Sequence, residues 1–161
     1  PYKTFDELKK SNKQVFIGGP GPGTITTQMA FLTQDYLGLN VRYVEYRNTP
    51  EIILAMEQKE LDAVWLAYNS AKPYLERGQV RLLVRARVSQ KGVENLPITE
   101  DLTNDPTGKT ILAMLGRTGV MGRILLAPPG TPDNVMAIIK DGVAKALKDP
   151  ELQADAVKAS M

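Results

Sequence analysis

The stretch whose residue types and spacing are suited to chemistry is Ile17-Gly18-Gly19-Pro20-Gly21-Pro22-Gly23-Thr24. It lies between a short apolar run, Val15-Phe16-Ile17, and a helix-periodic segment that opens at Thr24. A strand that passes through a glycine loop into a helix leaves free backbone N–H groups at the helix start, and the positive end of the helix dipole reinforces them. Glycine lets the backbone approach a ligand closely, and proline keeps the loop stiff. The chemistry implied is capture of a small anion, most simply a carboxylate, at Gly21 to Thr24. A tight strand-to-helix turn with no ligand is the alternative, and the motif by itself leaves both open.

Other site chemistries are excluded or unsupported. The chain has no Cys and no His, which removes the usual zinc sites, Cys nucleophiles and Ser-His-Asp triads. No Gly-Lys-Ser/Thr follows the glycine loop, and its glycines do not fit G-x-G-x-x-G, so nucleotide and dinucleotide binding are not expected. Glu60 ends a helix and Asp62 opens a strand at the opposite end from the loops, so no paired-carboxylate acid/base site forms. No cofactor and no metal are implied. The 20 basic and 18 acidic residues leave a net charge of +2 with both signs scattered, which argues against a nucleic-acid partner. The densest basic stretch, Arg81-Leu82-Leu83-Val84-Arg85-Ala86-Arg87, alternates like a strand with a solvated face. No apolar run reaches the length of a membrane span. The chain opens at Pro1 and carries no signal peptide, as expected of a start that has been processed or cut.

The elements that position the loop follow from periodicity and capping. With 43% apolar and 24% charged residues, the 161-residue chain has an ordinary globular composition and enough length for a core. Thr4-Phe5-Asp6-Glu7 reads as a capping box that starts a helix running to about Lys10. Residues 14–17 form the first strand. Ile25, Met29, Leu32 and Tyr36 mark the buried face of the next helix, which Gly38 ends. Residues 41–46 form the second strand, and Thr49 as N-cap with Pro50 at the first helical position opens another helix, buried at Ile52, Ile53 and Met56. Residues 62–66 read as a third strand, continuously apolar as in a buried parallel sheet, with Trp65 in the core. Asn69-Ser70 cap a helix that stops at Gly78, and residues 79–87 form a fourth strand.

Beyond Arg87 the chain is polar and irregular, with a short helix near residues 99–102 and a longer one over 109–115. Met121 to Gly130 gives one more buried-type strand and a stop. Helices then begin at Thr131-Pro132-Asp133, with Val135, Ile138, Ile139 and Val143 on one face, and at Asp149-Pro150-Glu151. Alternating strands and helices in units of this size make an α/β fold with a mainly parallel sheet flanked by helices. Ligands of such sheets sit outside the carboxyl ends of the strands. That rule selects the loop at Gly19, Gly21, Gly23 and Thr24, the turn at Asn48 and Thr49, and the turn at Asn69 and Ser70, with Arg47 as an added charge. Each of these polar residues is also a good helix cap in its own right.

The same segments carry a resemblance. The glycine loop resembles the strand-end F-G-S-T-G-P-G-S of the tripartite tricarboxylate transporter receptors, the TctC-like or Bug solute-binding proteins. Tyr46-Arg47-Asn48-Thr49-Pro50-Glu51-Ile52-Ile53-Leu54-Ala55-Met56-Glu57 is similar to their Y-x-G-T-P-E-I-I-L-A-M-E, and Met121-Gly122-Arg123 with Leu126-Ala127-Pro128-Pro129-Gly130-Thr131-Pro132 to their M-G-R-P-F-L-A-P-P-G-V-P. Asp149-Pro150-Glu151-Leu152 fits the closing helix. Gly19-Pro20 stand where that pattern has Ser-Thr, and Asn48 where it has Gly. The resemblance implies one lobe of a type II periplasmic-binding-protein fold, without catalysis, which closes on a small carboxylate and delivers it to membrane transporter components. It also implies a periplasmic location. Family members are about twice as long. On that pattern residues 1–119 are the ligand-binding lobe, and residues 120–161 return to complete the other lobe. Apolar groups of the return segment would then lack partners, so the isolated chain pairs with another copy or folds its tail onto its own lobe. Two readings from other classes stand beside this one: an effector-sensing module of a regulator, and a small α/β enzyme using the glycine loop as an oxyanion or phosphate cradle.

Overall fold

The structure is a computed structural model that describes residues 2–88, 91–117 and 125–158. The chain divides into two compact units, Pro1–Met121 and Gly122–Met161.

In the first unit, α1 (Phe5–Lys10) starts at Thr4, whose hydroxyl accepts the Glu7 N–H at 3.1 Å. The strand β1 (Gln14–Gly19) then runs into the glycine loop, followed by α2 (Ile25–Leu37), β2 (Asn40–Glu45), α3 (Thr49–Glu57), β3 (Ala63–Val64) and α4 (Tyr68–Glu76). β1 is the central strand, parallel to β2 on one side and to β3 on the other, in the order β2-β1-β3. Its alternation sorts the layers. Val15 and Ile17 face a core built from Phe5 and Leu8 of α1, Met29, Ala30 and Leu37 of α2, and Leu112. Gly18 faces the other way, toward Ile52 and Leu61, where an added Cβ would come within 2.6 Å of Leu61 Cδ1. Ile52, Ala55 and Leu61 form the second, smaller cluster there. Helices thus cover both faces of a parallel sheet.

Several expectations are corrected. The third strand is two residues long, and Asp62 before it is tied to β1: its carboxylate accepts the Phe16 N–H and its own N–H donates to the Phe16 carbonyl, both at 2.9 Å. Trp65 lies beyond that strand, half-buried against the core, and its indole N–H donates to Thr33 Oγ1 at 2.9 Å. Residues 79–87 form no strand. Leu83 and Val84 pack on the core, but the pairing found in that stretch among the described residues is an isolated bridge between Arg85 and Ile98. The buried face of α2 carries Thr27 and Thr33 besides Met29, Ala30 and Leu37, whereas Ile25 is exposed. The two threonines tolerate burial because their hydroxyls bond backbone carbonyls, Gly21 and Met29 respectively, at 2.6 Å.

A 3-10 turn (Thr99–Leu102) is tied back by Arg87, which meets Glu100 at 2.9 Å and Asp101 at 2.6 Å. The next helix, α5 (Pro106–Gly116), is longer than expected because Asp105 caps it by accepting the Gly108 N–H at 2.7 Å.

The second unit holds α6 (Asp133–Ala146) and α7 (Pro150–Lys158), neither of which has a buried residue. Asp149 caps α7, accepting the Glu151 and Leu152 N–H groups at 2.9 and 3.0 Å. The expected strand over 121–130 lies partly outside the described residues, at 121–124; Leu125 and Leu126 are in no strand and are exposed.

Candidate functional site

Parallel pairing brings the three loops to one end of the sheet. Gly19 stands beside Glu45 and Gly18 beside Val64, so the chain leaves β1, β2 and β3 on the same edge. The loop after β1 turns on two glycines with positive φ, Gly21 at 104° and Gly23 at 88°, which other residues adopt only with strain. Thr24 caps α2, its hydroxyl accepting the Thr27 N–H at 3.3 Å. The loop is held by two residues outside it. Tyr43 of β2 donates its hydroxyl to the Gly19 carbonyl and accepts the Gly21 N–H, both at 2.9 Å. Thr27 of α2 donates to the Gly21 carbonyl. The peptide N–H groups of Gly23, Thr24, Ile25 and Thr26 have no partner among the described residues. These are the donors that a helix start offers an anion.

The second loop differs in detail from the sequence reading. Asn48, and not Thr49, is the N-cap of α3: Asn48 Oδ1 accepts the Glu51 N–H at 3.0 Å, and Thr49 is the first helical residue, with Pro50 after it. The Glu51 carboxylate completes a box, accepting Asn48 Nδ2 at 3.2 Å and the Arg47 N–H at 3.3 Å. Both polar ends of the Asn48 side chain are therefore engaged within the turn. Between this box and the glycine loop lies an open depression lined by Pro20, Glu45, Tyr46, Arg47 and Glu51. The Glu45 carboxylate leans over the glycine loop, 3.3 Å from where a Cβ on Gly21 would stand. The Arg47 guanidinium has no ion pair among the described residues.

At the third loop the correction is larger. Ala67 is the N-cap of α4 and makes no side-chain cap bond, while Asn69 and Ser70 sit inside the first turn, both exposed. Asn69 Oδ1 turns back to its neighbour, accepting the Ser70 N–H at 2.9 Å. The shift follows from where β3 stops: with the ladder ended at Val64, the chain enters the helix two residues early.

Sequence reasoning missed Tyr43 and Thr27. The signals were present in the Thr24-x-x-Thr27 spacing and in a tyrosine at an inward-facing position of β2, across from Ile17. Tyr43 reads as an ordinary strand residue and Thr27 as a polar one off the apolar face until the register is known.

Comparison with known proteins gives the family. A family model described as "Tripartite tricarboxylate transporter family receptor" matches residues 1–161. A UPF0065 protein of Bordetella pertussis (strain Tohama I) is 26% identical over 145 residues, covering 89% of this chain and 42% of that protein. A crystal structure of a TctC solute-binding protein from Polaromonas superposes with a TM-score of 0.67 at 16% identity, covering 100% of this chain and 53% of that one. The chain thus spans about half the length, or less, of these relatives, and over that span it shares the α/β fold of the Polaromonas protein. The parallel sheet, the glycine loop at its carboxyl end and the family match over the whole length agree: the chain belongs to the tripartite tricarboxylate transporter receptor family.

Proposed function

We propose that this chain is part of a non-enzymatic solute receptor that captures a small carboxylate at the start of α2. The observation that carries this reading is the row of peptide N–H groups from Gly23 to Thr26, unpartnered among the described residues and aligned with the positive end of a 13-residue helix. Gly19 and Gly21 shape the cradle, and Thr24 caps the helix beside it. The turn at Asn48 and Thr49, and the first turn of α4 at Asn69 and Ser70, form the rest of the polar rim. Arg47 adds the charge that draws an anion in.

On this reading residues 1–119 form the ligand-binding lobe, and residues 120–161 complete the other lobe of the full-length receptor. Hinged closure of the two lobes traps the ligand, which is then delivered in the periplasm to the membrane components of a tripartite tricarboxylate-type transporter. In the isolated chain, the exposed apolar side chains of the second unit favour pairing with another copy.

The test is a titration of the 15N-labelled chain with citrate, malate and succinate at millimolar concentration, where one open lobe still reports weak contact. The amide signals of Gly23 to Thr26 are expected to shift in a saturable manner. If those signals stay fixed at every concentration, or if the shifts gather elsewhere, the carboxylate reading is overturned.

A further inference from the structure

We infer that Tyr43, seconded by Thr27, is a positioning residue that holds the glycine loop in its ligand-ready form before any ligand arrives. The inference rests on the anion-site reading above and assigns a role to two side chains that lie behind that site.

The glycines of a surface loop have many conformations open to them, and ordering them on binding weakens affinity. Here the order is supplied from outside the loop. The Tyr43 hydroxyl bridges two peptide groups, donating to the Gly19 carbonyl and accepting from the Gly21 N–H at 2.9 Å each. Thr27 donates to the Gly21 carbonyl, and its oxygen lies 3.0 Å from the Tyr43 hydroxyl. The N–H and the C=O of Gly21 are therefore both fixed, in the left-handed conformation that sets the direction of Gly23 and Thr24. Thr27 is 2% exposed, so its hydroxyl acts through the loop and not on a ligand. The Tyr43 ring is steadied by Phe31, with centroids 5.5 Å apart.

The arrangement also accounts for glycine at position 19. A Cβ there would lie 2.9 Å from both Thr27 Oγ1 and Tyr43 Cε2, in the space the two hydroxyl-bearing side chains occupy. Hydroxyls from β2 and α2 thus stand beside Gly19, which carries none.

Amide exchange on the full chain tests the positioning role without a ligand. Tyr43→Phe keeps the ring and removes the hydroxyl. The Gly21 amide is expected to exchange about tenfold faster or more, since it loses its acceptor, while the amides of Val15 and Ile17 in β1 keep their rates. Thr27→Val, which leaves the Gly21 carbonyl only the longer bond from the Thr24 hydroxyl at 3.2 Å, is expected to move the same signals and serves if Tyr43→Phe does not fold. With citrate as the probe, Tyr43→Phe is expected to raise the apparent Kd about tenfold. Thr33→Val, a buried hydroxyl deletion in the same helix away from the loop, should lower Tm and leave that Kd alone. Unchanged Gly21 exchange, or equal effects of Tyr43→Phe and Thr33→Val on Kd, overturns the positioning role. A wild-type chain that ignores citrate while Tyr43→Phe loosens the loop would instead overturn the carboxylate reading and leave Tyr43 in its role.

Discussion

Gly19 is constrained by its neighbours more than by its own backbone. Its φ is not in the left-handed region, yet the space where a side chain would begin is filled by Thr27 and Tyr43. Gly19→Ala therefore pushes two hydrogen-bonded side chains apart, and overpacking of this kind costs about 1–3 kcal/mol. Urea unfolding of the variant should show a lowered midpoint with an unchanged slope, and an unchanged midpoint would mean that the hydroxyl pair yields without loss. At this scale the site was half legible. The turn was legible because Gly21 and Gly23 take the positive φ that favours glycine, and Thr24 because it caps the helix that follows. The tyrosine that holds the cradle comes from another strand, 24 positions along the chain from Gly19, and single-sequence periodicity carries no information about such a partner.

Among the elements, α3 has the most complete start. Asn48 caps it and Glu51 answers from the third position, so the turn next to the depression is set by side chains rather than by packing. Asn48→Ala is expected to destabilise the chain by about 1 kcal/mol, the usual loss of a good N-cap, and Thr49→Ala by much less. Thermal unfolding of the two variants side by side checks this, and a larger loss from Thr49→Ala would return the cap to that residue. The order of helices and strands up to α4 could be read because capping residues and apolar spacing are local. The strand expected at 79–87 could not, since a strand exists only where a neighbour accepts its hydrogen bonds. Leu83 and Val84 met the requirement for burial without meeting the requirement for pairing. The face of α2 was misjudged for a related reason. Hydropathy marks threonine as polar, but Thr27 and Thr33 carry their hydrogen bonds into the core with them.

At the scale of the molecule, the two units are unequal in what they bury. The first has a core on each side of its sheet, whereas α6 and α7 contain no buried residue and leave Ile138 70% and Val157 76% exposed. Helices of 14 and 9 residues are marginal in water without a packed face. Such a surface favours association. Sedimentation velocity at micromolar concentration is expected to give more than one chain per particle, and Ile138→Asp is expected to shift the distribution toward the monomer. A wild-type monomer across that range would sink the pairing. Composition and length allowed a complete α/β protein, and it was the ordered motifs that pointed to one lobe of something larger. The chain spans 42% and 53% of the two relatives' lengths.

The donors in the glycine loop and the first turn of α2 are peptide groups, and this bears on how such a receptor changes its taste. Any residue but proline at Thr24, Ile25 or Thr26 supplies the same N–H, so point mutation has little to delete there. On the carboxylate reading proposed above, grip on an anion is inherited with the backbone, while discrimination among anions falls to the side chains around it. Glu45, leaning over the loop, and Arg47, at the rim with no ion pair among the described residues, are the positions where a new preference is written at least cost to the old grip.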